Sequence, residues 1–396
     1  MQVIADTTKL VRDEIITTEQ AAELERRGRE AMIEFGVGVI LTLGILAATG
    51  GLIFWLASAA SVAIAGTLFL VVGLGLLLSG GASIGIIANA LTLIGAGMLV
   101  GGGALDLVEN HEGIAAEVLT VAGALIVVIA ASAFRRWRLA APFVTGAVLL
   151  MGLAAHLLGL GLGLAERDVS GLPITAFYLY ASAVIAAAGW YVDTRFVTAL
   201  AIAPFAQALD TGTFYFHAAY VFYSPEPTLS ILQMSALIAA AVLLSRRVDD
   251  QIARHLGILA ILAFIVLNLC ALVGSLWGDY VGETLWGPGY YRYTAMSYEE
   301  WNALRDAFRA SAVYISEDLY SILWAAGLIA MVFWAAHRHR RGLFNAALTF
   351  GAIHAYTQLF ESFGDEPLAW AIGGLAAIPA AWMVWVLNRR LRPGGA

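Results

Sequence analysis

Apolar runs of about 20 residues follow one another along most of the chain, each long enough to cross a ~30 Å hydrocarbon core as a helix. They fall at approximately 35–57, 60–80, 82–105, 114–134, 139–165, 172–191, 196–222, 228–245, 256–277, 317–336, 342–361 and 367–388. The pattern predicts an all-α polytopic transmembrane bundle of about twelve spans. Two polar intervals interrupt it. Residues 1–34 are charged, and Thr17-Thr18-Glu19-Gln20 has the capping-box spacing that opens a short helix ahead of the first span. The second interval runs from Trp277 to Ser316. Its first half is turn-rich and aromatic, with Gly282, Gly287, Pro288 and Gly289 among Trp286, Tyr290 and Tyr291. In its second half Ser297 and Glu300 fit another capping box, and Trp301, Leu304, Phe308 and Ala312 recur at helical spacing. Glu299, Arg305, Asp306 and Arg309 face elsewhere, which predicts an amphipathic helix over 298–311 lying in the external membrane interface between spans nine and ten.

Composition agrees with the pattern. The chain is 60% hydrophobic and 13% charged with a mean hydropathy of +0.80, whereas ordinary soluble domains carry about 25% charge. The single cysteine, Cys270, leaves no internal disulfide to form. Residues 1–34 lack an early apolar core, so the first span is expected to act as an uncleaved targeting signal.

Charge placement sets the expected orientation. All but four of the 22 lysines and arginines fall in the N-terminal tail, the C-terminal tail, or the turns at Arg135–Arg138, Arg195, Arg246–Arg254 and Arg338–Arg341. With twelve spans all of these lie on one side, and only Arg167, Arg292, Arg305 and Arg309 lie on the other. The positive-inside rule then puts both termini in the cytoplasm and the 277–316 cap outside, in a bacterial inner membrane. Texture divides the chain further. After the 1–34 tail comes a Gly-rich part of about five spans, 35–165, with Gly81xxxGly85, Gly97xxxGly101 and Gly159xxxGly163 at close-packing spacing. A part of about seven spans, 166–396, carries more aromatics and most of the polar groups expected in the membrane.

Ionisable groups inside a bilayer are costly and are functional candidates by default. Span seven places Gln207, Asp210 and His217 on one helix face, and span eleven does the same with His354, Gln358 and Glu361. Span five adds His156 and span nine adds Asn268. Counting a ~1.5 Å rise from each cytoplasmic start puts these groups in the outer half, under the cap. They are expected to line one outward-facing polar pocket, with Asp210 and His354 as its ion- or proton-handling pair. A blander account stands beside this one. His156 and Asn268 also fit interhelical hydrogen bonds, Glu361 fits a polar helix end, and the cap aromatics Trp286, Tyr290, Tyr291, Trp301 and Phe308 fit an interfacial belt. Thr211-Gly212-Thr213 could break span seven and admit water, a device known from transporters.

No HExxH, CxxCH, P-loop or GxSxG motif is present, so no reaction, metal or cofactor is indicated. The basic turns are too short and scattered for nucleic acid, leaving the lipid bilayer and other membrane subunits as partners. Ile16, Thr17, Glu19, Gln20 and Ala21, with the stretch Tyr356 to Gly374, resemble a broad group of bacterial polytopic inner-membrane proteins with a domain of unknown function. The resemblance implies location and no activity. Three functions fit: a carrier or permease for a small solute or lipid, a non-catalytic subunit or assembly factor of a larger complex, and an intramembrane enzyme.

Overall fold

The computed structural model describes residues 11, 15–27, 44, 47, 51, 58–79, 85–136, 142–209, 214–216, 221–288, 297–363 and 365–390. The chain divides into two compact units, Met1–Asp168 and Val169–Ala396.

The first unit holds α1 (residues 18–27), α2 (Ala59–Ser79), α3 (Gly85–Asn110), α4 (Glu112–Arg136) and α5 (Pro142–Glu166). The box that opens α1 is made as the spacing predicts. Gln20 N–H donates to Thr17 Oγ1 at 3.2 Å, and Thr17 N–H returns to Gln20 Oε1 at 3.0 Å. Glycines set the packing of the long helices. On α2 and α3 the tight contacts are at Gly66, Gly73, Gly95 and Gly102, and on α4 and α5 at Gly123, Gly152 and Gly159. A Cβ on Gly95 would lie 2.2 Å from Leu70 N, and one on Gly159 would lie 2.4 Å from Thr120 N, so backbone meets backbone. The pairs 66/73, 95/102 and 152/159 are two helical turns apart and share a face. Of the glycines in the predicted four-residue spacings, Gly159 is pressed against a neighbouring backbone, whereas Gly85 and Gly101 meet nothing within 4 Å.

The second unit holds α6 (Leu172–Tyr191), α7 (Arg195–Leu200), α8 (Ile202–Gln207), β1 (Phe214–Phe216), β2 (Val221–Tyr223), α9 (Pro227–Leu244) and α10 (Asp250–Trp277). It continues with β3 (Asp279–Tyr280), α11 (Glu283–Trp286), α12 (Tyr298–Ser311), β4 (Tyr314–Ile315), α13 (Glu317–His337), α14 (Arg341–Phe363) and α15 (Pro367–Arg390). One core cluster joins Ala271 of α10 to Trp324 and Leu328 of α13 and to Ala347 and Phe350 of α14.

Among the described residues eight helices are long and apolar enough to cross a membrane: α2 to α6, α9, α10 and α13. Their outward residues are apolar too; Ile64, Leu68, Val71 and Leu78 are all more than 60% exposed. Such continuous apolar exterior belongs in lipid rather than water. The described residues show these eight of the expected twelve. Of span one only residues 44, 47 and 51 are described, all helical. Spans eleven and twelve are helices, but α14 carries Asn345, His354, Gln358 and Glu361 and is not among the eight, and the described apolar stretch of α15 is Pro367–Pro379.

The seventh span, expected as one helix over 196–222, is instead broken. Helical structure stops at Leu200, resumes at Ile202 and ends at Gln207, and the remainder includes an antiparallel hairpin pairing Phe214 with Tyr223. Pro204 accounts for the first break, because it lacks an N–H and its ring crowds the carbonyl four residues back, that of Leu200. The run of Phe, Tyr and Val at 214–223 favours strand over helix. Side chains from neighbouring helices occupy carbonyls of the broken stretch. Ser182 Oγ–H donates to Ala201 O at 2.9 Å and Gln233 Nε2 to Phe205 O at 2.5 Å.

Contacts to α10 are made before, within and after the broken segment. Gln251 Nε2, at the start of α10, donates to Trp190 O at the end of α6. Ala206 packs with Met234 and Ala263 midway. At the far end Thr228 N–H, at the start of α9, reaches Asp279, two residues beyond α10. The 28 residues of α10 span about 40 Å.

Candidate functional site

The polar groups of the second unit gather at the two ends of α10 and at one point within it.

At the Trp277 end, Gly278 closes α10 with φ +66°, and a Cβ there would lie 2.4 Å from Tyr314 Oη. This left-handed turn needs glycine. It aims Asp279–Tyr280 back to pair with Tyr314–Ile315. Gly282, at φ +86°, starts α11. Two carboxylates are enclosed as a result, Glu226 at 2% exposure and Asp279 at 3%. Each satisfies the other's segment. Glu226 Oε1 and Oε2 accept from Gly282 N–H at 2.7 Å and Thr284 N–H at 2.8 Å, at the start of α11. Asp279 Oδ2 accepts from Thr228 N–H at 2.9 Å, at the start of α9, and from the Tyr320 hydroxyl of α13 at 3.2 Å. The Tyr320 hydroxyl also meets Thr228 Oγ1. Asp279 Oδ1 is buried without a hydrogen-bond partner. Burial is the largest influence on Asp279 and raises it above the ordinary aspartate range; donation by Thr228 pulls it down, and the Glu226 charge pushes it further up. Gly274 makes room for Tyr320, since a Cβ there would lie 2.5 Å from its ring.

Helix α12 docks beside this cluster. Its capping box is complete, with Glu300 N–H on Ser297 Oγ at 3.3 Å and Ser297 N–H on Glu300 Oε2 at 3.0 Å. Arg309 binds Glu283 through Nε and Nη2, at 2.9–3.2 Å, and its guanidinium lies 4.7 Å over the Tyr280 ring. Trp301 Nε1 donates to Pro288 O at 3.2 Å. Arg309→Ala is expected to free α12 while leaving the long helices folded, because a partly exposed ion pair is worth about 1 kcal/mol or less. Limited proteolysis between Gly282 and Ser316 should become several-fold faster with an unchanged helical signal.

Within α10, Asn268 is fully paired: Oδ1 accepts from Trp324 Nε1 at 2.9 Å and Nδ2 donates to Phe264 O at 2.8 Å. His354 of α14 contacts the Trp324 ring edge-on at 4.7 Å, and its Nδ1 is buried without a partner.

At the Asp250 end His255, 4% exposed, bridges three elements. Its Nε2 donates to Asp193 Oδ1 at 3.2 Å, and Thr198 Oγ1 lies 2.6 Å from its Nδ1. Donation from His255, followed by the charge of Arg254, holds Asp193 below the ordinary carboxylate range, with burial pulling the other way. The order hydroxyl–imidazole–carboxylate is that of a nucleophilic triad. Thr198, however, is 1% exposed and pressed so tightly onto Gly189 that a Cβ there would lie 2.2 Å from its hydroxyl. No substrate reaches that oxygen, and the cluster locks α7 to α10.

Of the residues singled out from the sequence, Asn268 and His354 come together around Trp324. Gln358 is half-buried and Glu361 exposed on α14. His156 belongs to the first unit, where its Nδ1 donates to Thr120 O at 2.8 Å. Asp210, His217, Tyr290 and Tyr291 lie outside the described residues. Trp286 is exposed, and Trp301 and Phe308 are half-buried. The carboxylates Glu226 and Asp279 were not anticipated. Glu226 sits in Pro225-Glu226-Pro227, which reads as a turn, and Asp279 follows the last residues of an apolar run. Among the described residues no three His, Cys, Asp or Glu side chains come together to hold a metal ion.

Compared with known proteins, the chain matches no family model, no curated protein and no solved structure.

Proposed function

We propose that this chain is a multi-pass carrier for a small solute, working through its second unit. The observation that carries the reading is the discontinuous backbone of 195–207 and 214–223, packed on α10 midway at Ala206, with the buried carboxylates Glu226 and Asp279 just beyond it; we read it as a discontinuous crossing. Irregular backbone at membrane depth is tolerated where it is buried in protein or lines a cavity, and discontinuous crossings mark the binding sites of many carriers. A non-catalytic subunit needs neither that interruption nor a buried carboxylate left with an unpaired oxygen.

The membrane is a bacterial inner membrane with both chain ends in the cytoplasm. Helix α12 lies along the outer interface, its half-buried Trp301 and Phe308 toward the protein and Leu304, 45% exposed, toward lipid. In a Cys270→Ala background, E299C and G342C should label from opposite sides of intact cells. Labelling of both from one side would refute this orientation.

The carrier reading is tested with the purified protein against a panel of amino acids, sugars, organic anions and organic cations. One class should raise the melting temperature saturably, since a ligand at 100 times its Kd adds about 2.7 kcal/mol. Labelled members of that class should then accumulate in proteoliposomes. No shift from any class, together with a stoichiometric partner in native co-purification, would replace the carrier with the subunit reading.

A further inference from the structure

We propose that Asp279 and Glu226 together form a proton-binding site, with the proton held on Asp279. For its use in turnover this rests on the carrier reading, with the proton as coupling ion; the binding itself is an equilibrium property of the folded chain.

Geometry divides the two roles. Both oxygens of Glu226 accept backbone N–H bonds, from Gly282 and Thr284, so this carboxylate is committed as an acceptor. Asp279 has one oxygen satisfied and the other enclosed without a donor, in a residue 3% exposed. A full negative charge left half-solvated in such a place is far more costly than a neutral acid. Where two carboxylates share a buried site, the second is the one that keeps its proton.

Among the described residues, the groups that face Asp279 offer no charge to offset an ionised form. Glu226 adds negative charge, Thr228 on α9 and Tyr320 on α13 are neutral hydroxyls, and Cys270 on α10 lies against the hydroxyls of Ser224 and Ser230. The Tyr280 and Tyr314 rings meet tilted by 39° with centroids 4.7 Å apart, and the Tyr314 hydroxyl donates to Glu317 at 2.8 Å. Arg309, which lies over the Tyr280 ring, is already matched by Glu283, and Arg305 lies over the Trp301 ring. Proton exchange in this cluster therefore changes its net charge where three helix ends meet: the starts of α9 and α13 and the end of α10.

The test is an infrared pH titration of the full-length protein in lipid nanodiscs, following the carbonyl stretch of protonated carboxylic acid. A band persisting near neutral pH should move when aspartate is labelled with 13C at its side-chain carboxyl. It should vanish in D279N, whose side-chain amide keeps an acceptor for Thr228 and Tyr320. In E226Q it should titrate about one pH unit lower, a tenfold loss of proton affinity once the neighbouring charge is gone. The isotope arm needs no variant, so a misfolded mutant does not rescue the proposal. It is overturned if no band near neutral pH carries the aspartate label, or if the band survives D279N. Loss of the band on adding NaCl at constant pH would also overturn it, because a monovalent metal ion would then own the site. A proton band without solute uptake leaves this site standing and removes the carrier; uptake without the band does the reverse.

Discussion

Gly95→Leu is expected to abolish the folded first unit, whereas Gly101→Ala on the same helix should leave it equally stable or slightly more so. The two glycines lie under two turns apart on α3 and differ only in what a side chain would meet. At Gly95 the added Cβ falls 2.2 Å from Leu70 N, 2.7 Å from Leu70 Cα and 2.8 Å from Gly66 O, all backbone atoms that no rotamer change can move. The α2 and α3 backbones would have to separate by more than an ångström, loosening the matching contacts at Gly66, Gly73 and Gly102. Overpacking in a deformable core costs about 1–3 kcal/mol, and a glycine seam between two helices has no soft side chain to absorb it. Even Gly95→Ala should cost more than that range. At Gly101 nothing lies within 4 Å and the residue is exposed, so alanine adds up to about 1 kcal/mol of helix propensity. Thermal melts in detergent, followed by size-exclusion profile, decide it. Equal losses at both positions would mean that the seam does not hold the unit together.

What the sequence could and could not announce follows from the same local physics. The long helices are legible because a bilayer demands about 20 apolar residues in succession, and that demand is written residue by residue. Helix α12 is legible because Ser297, Glu300 and the Trp301–Leu304–Phe308 spacing are all local. Span seven misled because hydropathy reports burial and not backbone shape: FYFHAAYVFY is as apolar as a helix. Pro204 was the available sign, since helix geometry fails four residues before it. Glu226 and Asp279 were hidden for another reason. A carboxylate at the edge of an apolar run is cheap if water reaches it, and the partners that enclose these two lie 41 to 58 residues away along the chain. The partner of Asn268, Trp324, lies 56 residues away, a distance at which no local pattern operates.

Glu226→Ala is expected to unfasten the Trp277 end of the second unit, with a loss of roughly 1–4 kcal/mol, because the buried Gly282 N–H loses its acceptor at about 1–3 kcal/mol and the half-buried Thr284 N–H at about 1 kcal/mol or less. Both donors belong to the segment that folds α11 over Asp279. Glu226→Gln keeps one acceptor oxygen but turns an amide N–H toward the other donor, so its loss should be about half as large. The pH dependence of the Ala variant carries further information. If Asp279 were ionised, deleting the neighbouring charge would relieve repulsion and offset part of the loss near neutral pH. With the proton on Asp279 there is no repulsion to relieve, and the full loss should be seen there. The sign in the wild type follows. Asp279 lies above its unfolded range, so the folded chain holds a proton that the unfolded chain has released once pH exceeds about 4. Its contribution to stability is therefore intact below that value and declines as pH rises toward the folded-state value of Asp279. Melting curves of wild type, E226A and D279N across that window should show a slope in the wild type that D279N lacks. A wild-type slope of opposite sign, rising with pH, would place the charge on Asp279 and leave the two carboxylates as helix caps alone.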